Sequence, residues 1–417
     1  MLDAALRDGT AQRPSVFEVF SRRLSGGRRY GVLAGTGRVL EAVERFRFGA
    51  DELEWLAAER VVSPTTIDWL ADYRFGGSIS GYREGDVYFP TSPVLTVEGT
   101  FAEAVILETL ILSILNADSA IATAAARMVS AANGRPIAEM GSRRTQEHAA
   151  VSAARAAWIA GFGATSNLEA GRRWGVPTMG TAAHAFTLLH DTEEGAFRAQ
   201  IDAMGTGTTL LIDTYDVMAA VETAVRIAGS ELGAVRIDSG DLPVVVQAVR
   251  DRLDALGATS TTITVTNDLD EYAIAGLAAS PVDSFGAGTR LVGGSGYPTA
   301  GFVYKLVERA DEDGTMRAVA KKSAEKAGNG GRKWAFRRLE EGVAVEERIV
   351  VTDEQPHVAD ARDLVVPLVV GGIPWAEYLG AEGARAARAH HAHVIAELPA
   401  DARRLSGGDP AIPTVLV

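Results

Sequence analysis

Between residues 135 and 289 the chain repeats one rhythm: a short apolar run, a polar or glycine-containing turn, then a helical pattern. Residues 136–140 precede a helical stretch at 145–160, and 208–212 precede 215–228. Residues 234–237 precede a helix ending near Gly257, 262–266 precede 269–279, and 282–285 run into a glycine loop. Shorter candidate strands lie at 163–165 and 176–179. About seven β-then-α units in series predict an α/β fold, an irregular TIM-like α/β barrel, because each helix returns the chain to start a parallel neighbour. In such folds the chemistry gathers at the C-terminal ends of the strands. Functional residues are therefore expected just after each apolar run.

The rest of the chain lacks this rhythm. Residues 1–130 read as mixed α and β, with helical stretches at 35–47 and 51–58. A Pro- and Gly-punctuated region at 75–97 alternates enough (Gly85-Asp-Val-Tyr-Phe-Pro, Val94-Leu-Thr-Val) to predict short strands. A long, mostly apolar helix follows from Thr100 to about Ser130, ended by Asn133-Gly134. Beyond residue 305 come a basic glycine-rich loop, Ala327-Gly-Asn-Gly-Gly-Arg-Lys, β-like segments and a helical tail at 375–398. The expected organisation is an N-terminal α/β domain at 1–130, a barrel bearing the site at 131–305, and a C-terminal segment at 306–417 packing with the N-terminal domain.

Composition narrows the chemistry. The chain has no cysteine, which excludes disulfides, thiolate metal sites and thiol nucleophiles. A net charge of −13 argues against nucleic acid as the main partner, yet leaves room for a phosphorylated small molecule held by local Arg, Lys and backbone amides. Apolar stretches such as 102–115 and 365–370 are short or interrupted by Glu103 and Glu108, so no membrane span is expected. Met1-Leu-Asp-Ala-Ala-Leu-Arg-Asp-Gly has no basic region followed by an apolar run; no signal peptide is expected, and the cytoplasm is the expected compartment.

The sharpest segment is Val235-Arg-Ile-Asp-Ser-Gly-Asp-Leu-Pro. A strand ends at Asp238, Ser239-Gly240 make a tight turn, and Pro243 opens a helix. Carboxylates at Asp238 and Asp241 suit Mg²⁺ or sugar hydroxyls; the competing reading is a helix N-cap. Thr266-Asn267-Asp268 ends the next strand, where Asp268 with Glu271 also fits an acidic capping box. Phe285-Gly-Ala-Gly-Thr289 then offers bare backbone that could wrap a phosphate, with a helix terminus just beyond, although Gly-x-Gly is common in tight turns. Three consecutive strand ends thus carry an acid pair, an acid and a phosphate-type loop, a series suited to a ligand with a diol and a phosphate.

Two further strand ends add charge and a histidine. Glu139-Met-Gly-Ser-Arg-Arg144 places Arg143 and Arg144 beside a helix start, where their charge opposes the macrodipole. Anion binding explains them better than capping, although one could be plain surface charge. Val176-Pro-Thr-Met-Gly-Thr-Ala-Ala-His184 sets His184 among small residues that leave room for a ligand. A lone histidine is more often structural; here its strand-end position favours an acid, base or phosphate-accepting role. His390, His391 and His393 lie in an Ala/Arg-rich helical pattern and read as a solvated face, with metal binding the minor alternative.

Together these residues resemble the nicotinate phosphoribosyltransferase family. The resemblance runs from Phe17-Glu-Val-Phe and Gly35-Thr-Gly through Gly330-Gly-Arg-Lys333. It is sharpest at Glu139-Met-Gly-Ser-Arg-Arg, Gly180-Thr-Ala-Ala-His, Arg236-Ile-Asp-Ser-Gly-Asp and Phe285-Gly-Ala-Gly-Thr. It implies a type II phosphoribosyltransferase fold, an irregular α/β barrel plus an α/β domain built from the N- and C-terminal parts, in paired subunits with active sites at their interface. The implied reaction joins nicotinate to phosphoribosyl pyrophosphate (PRPP), forming nicotinate mononucleotide for NAD salvage. ATP hydrolysis is coupled through a phosphohistidine.

The resemblance also implies roles. Arg236, Asp238, Ser239 and Gly240 match the segment that holds PRPP and, through it, Mg²⁺. Asp268 matches a ribose contact, and Gly286, Gly288 and Thr289 match the 5′-phosphate loop. Arg143 matches the residue facing the pyridine ring and its carboxylate, and His184 the histidine that ATP phosphorylates. Met140 stands where nicotinamide-using relatives place an aromatic on the pyridine ring; a thioether can pack there. Ser166 stands where a nicotinamide-specific relative carries Asp, which would accept from a carboxamide but repel a carboxylate, so nicotinate is the expected substrate. Family members begin with a Tyr-bearing segment that reaches into the partner's site, and this chain is read as starting past it. The alternatives are a nicotinamide or quinolinate phosphoribosyltransferase, a catalytically impaired ligand-binding paralogue, and a barrel aldolase or epimerase sharing the β/α rhythm.

Overall fold

Val16, Phe17, Val19 and Phe20 are residue types that favour a pleated, buried surface, and Pro14–Ser21 forms a strand with antiparallel neighbours on both sides, Phe302–Ala310 and Leu95–Thr100. The computed structural model of the chain describes residues 1–321 and 329–417, so Ala327 and Gly328 of the basic glycine-rich loop lie outside the described residues. The chain divides into two compact units, residues 1–123 with 297–417 and residues 124–296.

In the first unit the sheet extends to seven strands, in the order Met316–Ala318, Phe302–Ala310, Pro14–Ser21, Leu95–Thr100, Ser78–Gly81, Val366–Val370 and Ile373–Pro374. Its inward face supplies Phe17, Val19, Ile79, Leu95 and Val97 to the core, and Phe17 stacks on Tyr304 with ring centroids 4.9 Å apart. A four-stranded sheet joins Ala361–Asp363, Lys333–Glu340, Val343–Val351 and Thr414–Leu416. The long apolar helix is split into Phe101–Val105 and Glu108–Ala132, and Thr100 with Glu103 makes a capping box at its start. Contrary to the sequence reading, Phe101–Ala132 is long and apolar enough to cross a bilayer by length and composition, with mean hydropathy 1.7 over an 18-residue stretch within it. Its apolarity serves the core. Leu107, Ile111 and Leu115, four residues apart, are fully buried there. On later turns Ser119 and Thr123 accept from the backbone N–H of Ala34 and Val32.

Of the three histidines of the C-terminal helix Gly380–Ala396, His390 and His391 are not on a solvated face, whereas His393 is. His391 is buried and donates from Nδ1 to the Gly85 carbonyl at 2.9 Å; burial pushes its pKa down to about 4. His390 donates from Nε2 to Asp86 at 2.9 Å, while His393, exposed, sits 3.2 Å from Glu397. Arg362 bridges Asp86 and Glu397, each at 2.9 Å. The sequence pattern misled because the loop that covers this helix face, 85–86, lies about 300 residues away in the chain.

In the second unit, six strands pair in parallel in the order Ala164–Thr165, Ile137–Glu139, Ser284–Ala287, Thr262–Val265, Ala234–Ile237 and Thr209–Leu211. Ala234–Ile237 is buried at all four positions, which is why such a strand reads as a continuous apolar run. The first strand in the chain pairs with the last, as in a barrel. The seventh predicted run, 176–179, contributes a single bridge from Thr178 to Thr165 rather than a strand. Among the described residues no ladder joins Thr178 to Thr209–Leu211, so the sheet is a curled half-barrel open on that side. Every strand still delivers its C-terminal end to the same edge.

Candidate active site

Two adjoining hollows open at that edge. One, of about 160 Å³, is lined by Arg144, Thr266, Asn267, Asp268, Gly286, Gly288 and Thr289. The other, of about 470 Å³, is lined by Ser142, Ser166, Thr181, His184 and Leu211, with small residues between. Met140, Arg143, Arg236 and Asp238 line both, so the two form one continuous site. All its lining residues fall within residues 124–296, and all but Arg236 and Leu211, which lie inside their runs, follow or end the predicted apolar runs.

Arg236 stands at the centre, nearly buried. Its Nε donates to Thr266 Oγ1 at 2.8 Å, Nη1 to Thr181 Oγ1 at 2.7 Å, and Nη2 lies 3.2 Å from Asp238 Oδ1. A guanidinium held at three points is a fixed positive charge. The Asp238 carboxylate also accepts from the Thr266 hydroxyl. Burial alone would raise its pKa, but Thr266, Arg236 and His184 outweigh it and hold the carboxyl below its usual range. Asp238 is therefore not the helix cap: Asp241 occupies the N-cap position of Leu242–Ala255, without a side-chain cap bond, and lines neither hollow.

Ser239 and Gly240 line neither hollow. Gly240 has φ 90°, the left-handed conformation that the turn after the strand needs. The Ser239 hydroxyl donates at 2.7 Å to Asp213 Oδ2, which also accepts from the Asp238 backbone N–H at 2.8 Å.

Asp213 was not singled out from the sequence, although it directly follows the run 208–212 and the strand-end rule points to it. Its side chain is 2% exposed, and Oδ1 has no hydrogen-bond partner. That oxygen lies 3.9 Å from His184 Nε2, which is also 3.9 Å from Asp238 Oδ2. The other ring nitrogen, Nδ1, is 3.1 Å from Thr214 Oγ1. When Nδ1 donates to that hydroxyl, Nε2 carries the lone pair and faces two carboxylates.

The capping box read from Asp268 and Glu271 is not formed. Asp270 caps the helix Glu271–Gly276 through the N–H groups of Tyr272 and Ala273, and Glu271 is buried in an ion pair with Arg127 at 2.9 Å. Asp268 is thereby free to face the smaller hollow, carried there by Asn267 at φ 144°, a conformation strained for a side-chain-bearing residue. Opposite lies the glycine loop. A Cβ on Gly286 would sit 2.6 Å from Thr266 Cγ2 and 2.8 Å from Met140 Sδ, so only glycine lets these strand ends approach. The helix beyond, Thr289–Val292, has four residues, too short for a substantial dipole; what the loop offers an anion is backbone N–H and the Thr289 hydroxyl.

Arg143 and Arg144 lie in the single turn Ser142–Arg144. Both are exposed and neither has a carboxylate partner among the described residues. Ser166, also exposed, lines the larger hollow together with Arg143, and its N–H donates to the Glu139 carbonyl at 2.8 Å. Among the described residues no group of three or more His, Asp or Glu side chains could hold a metal ion by itself.

A family model described as the nicotinate phosphoribosyltransferase (NAPRTase) N-terminal domain matches residues 1–116. The chain is 57% identical over 424 residues to nicotinate phosphoribosyltransferase pncB1 of Mycobacterium tuberculosis (strain CDC 1551 / Oshkosh), covering 99% of this chain and 92% of that one. It is 36% identical over 369 residues to the nicotinate phosphoribosyltransferase of Bacillus subtilis (strain 168), covering 85% and 75%. In fold it is similar to the crystal structure of human nicotinic acid phosphoribosyltransferase, with TM-score 0.84, 24% identity, and coverage of 100% of this chain and 96% of that chain.

Proposed function

The chain belongs to the nicotinate phosphoribosyltransferase family, and we propose that the paired hollows join nicotinate to the ribose phosphate of PRPP, with ATP hydrolysis coupled through His184. The product is nicotinate mononucleotide, a step of NAD salvage. The observation that carries this reading is the shared wall: Met140, Arg143, Arg236 and Asp238 line both hollows, so a pyridine on one side and a ribose phosphate on the other would meet across them.

In this reading the larger hollow takes the pyridine. Arg143, without a carboxylate of its own, pairs with the ring carboxylate; Ser166 offers a neutral hydroxyl; Met140 packs on the ring. The smaller hollow takes the sugar phosphate, with Asp268 on the ribose hydroxyls and the Gly286–Gly288 amides and Thr289 on the 5′-phosphate. As pyrophosphate leaves C1, positive charge develops on the ribose, and the ionised Asp238 offsets it from a position fixed by Thr266 and Arg236. The rate comes from positioning and electrostatics rather than from a strong base.

Mg²⁺ fits only as a companion of the diphosphate, since the carboxylates present are too few to enclose it; Asp238 is the residue that would reach it through substrate, where it would neutralise the leaving group. His184 takes the phosphoryl group from ATP, its Nε2 lying between Asp213 and Asp238. Quinolinate would bring a second carboxylate, and Arg236 is already committed to Thr266, Thr181 and Asp238, which favours nicotinate.

A homodimer with shared sites fits the same edge. Leu188 at 61% exposure, Leu189 at 79%, Tyr215 at 59% and Val244 at 64% each lie a few residues beyond a site segment, an apolar rim suited to a second copy. The deciding experiment is one assay of the purified chain with nicotinate, PRPP, Mg²⁺ and ATP. Nicotinate mononucleotide should form with greater efficiency than the product from nicotinamide or quinolinate; a preference for either rival overturns the reading.

A further inference from the structure

Glu139 ends the strand Ile137–Glu139 and is 1% exposed. No basic side chain pairs with it among the described residues. Its carboxylate instead accepts from two neutral donors, the Gly141 backbone N–H through Oε1 and the Thr165 hydroxyl through Oε2. Burial pushes its pKa above the usual carboxylate range, and the two donors only partly offset that. A buried anion without a cation is costly, and apolar packing would hold two strands together at less expense.

The bonds continue beyond the carboxylate. Thr165 Oγ1 accepts from the Asn167 N–H at 2.9 Å, and Asn167 Nδ2 donates to Ser142 Oγ at 3.0 Å. Ser142 directly follows Gly141, so the path closes into a ring through Glu139, Gly141, Ser142, Asn167 and Thr165. The ring ties together two loops. One carries Met140 and Arg143, the other Ser166, and these are the residues assigned above to the pyridine ring and its carboxylate. Gly141 has no room for a side chain, since a Cβ there would sit 2.4 Å from Val292 Cγ1.

We propose that Glu139 is a positioning residue for pyridine recognition: through Gly141, Thr165, Asn167 and Ser142 it sets the span between Arg143 and Ser166. This rests on the assignment of the larger hollow to nicotinate. Glu139 touches no substrate. It specifies where the two loops that do so stand, and the PRPP side of the site, built on Arg236, Asp238 and Thr266, is bonded independently of it.

The test is steady-state kinetics of Glu139→Gln, Thr165→Val and Thr165→Ser, with melting temperatures measured alongside. Glu139→Gln and Thr165→Val each raise the KM for nicotinate by about tenfold or more, the loss expected for one hydrogen bond to a charged group. The KM for PRPP rises much less in both, because Arg236, Asp238 and Thr266 keep their bonds even though Met140 and Arg143 line both hollows. Thr165→Ser, which keeps the hydroxyl, restores the wild-type KM for nicotinate. A nicotinate KM unchanged in Glu139→Gln overturns the proposal. So does a parallel rise in both KM values, or a Thr165→Ser variant no better than Thr165→Val. Arg143→Ala serves as the control for the underlying reading. If it leaves nicotinate KM unchanged, the pyridine assignment has failed; if it raises that KM while Glu139→Gln does not, only the positioning role has failed.

Discussion

The Asp213 carboxylate accepts from the backbone N–H of Asp238 at 2.8 Å through one oxygen and presents the other, unbonded and buried, 3.9 Å from His184 Nε2. One side chain thus anchors the turn that bears Asp238, proposed above to offset the ribose charge, and faces the histidine proposed to carry phosphate. The two tasks are separable. In Asp213→Asn the amide oxygen can keep the bonds to Asp238 and Ser239 while the amide NH₂ replaces the charged oxygen near His184. In Asp213→Ala both are lost.

Asp213→Asn should therefore slow phosphorylation of the protein by ATP at least about tenfold, because a unit charge near 4 Å contributes from about 1 kcal/mol in water to about 4 kcal/mol near a protein surface. Its melting temperature and PRPP KM should stay close to wild type. Asp213→Ala should also raise the PRPP KM as the 238–240 turn loosens. The two variants are compared by labelled-phosphate incorporation and initial rates; equal behaviour of Asn and Ala would show that charge plays no part.

His184→Ala should abolish phosphate transfer from ATP onto the protein. The residues assigned to nicotinate and PRPP remain in place, so slow mononucleotide formation without ATP should persist in the variant. The measurement is acid-labile label on the isolated protein after exposure to γ-labelled ATP. Label retained on the variant would move the phosphorylation site elsewhere.

Much of this site was legible because parallel strands are buried on both faces and end where loops converge. The runs before Arg143, His184, Asp238, Asp268 and Gly286 stand out as apolar blocks; four of them are strands ending on one edge, and the run before His184 joins that edge through the single Thr178–Thr165 bridge. Asp213 escaped notice because Asp213-Thr-Tyr-Asp216 reads as a helix start, and Asp216 does cap Val217–Ala228. At residues 268–271 the reading slipped by two positions: acids at Asp268 and Asp270 both suit a cap, and only backbone geometry selects Asp270. His390 and His391 of the last helix were misread for a different reason. Periodicity along a helix shows its faces but not what a distant loop lays over them.

His391 makes that loop contact measurable. Its pKa is about 4 in the folded chain against 6.5 for the unperturbed group, because burial, ahead of its bond to Gly85 and its neighbours Asp86, His390 and Arg388, disfavours the charged form. Above pH 6.5 both folded and unfolded states hold it neutral, and its contribution to stability is fully present. As pH falls from 6.5 toward 4 the unfolded chain binds the proton first, so stability drops, by up to about 3 kcal/mol from this group. His391→Gln can keep a donor to the Gly85 carbonyl but does not titrate. Denaturant melts across that pH range should show a shallower acid loss in the variant, and identical slopes would remove His391 from the account.

Ser166 provides the sharpest test of substrate choice, because it lines the hollow as an exposed, uncharged side chain within the wall that also holds Arg143. An aspartate there would meet the nicotinate carboxylate with like charge and a carboxamide NH₂ with an acceptor. Even in bulk water two such charges 4 Å apart repel by about 1 kcal/mol, and by about 4 kcal/mol near a protein surface. Ser166→Asp should accordingly raise the KM for nicotinate about tenfold or more and shift the ratio of kcat/KM toward nicotinamide. Some of the repulsion will be relieved by Arg143, which can turn toward the new aspartate, so the nicotinamide gain should be smaller than the nicotinate loss. Paired progress curves with the two pyridines at fixed PRPP measure both. A variant that loses both substrates equally would mean that position 166 shapes the hollow without reading the substituent on the ring.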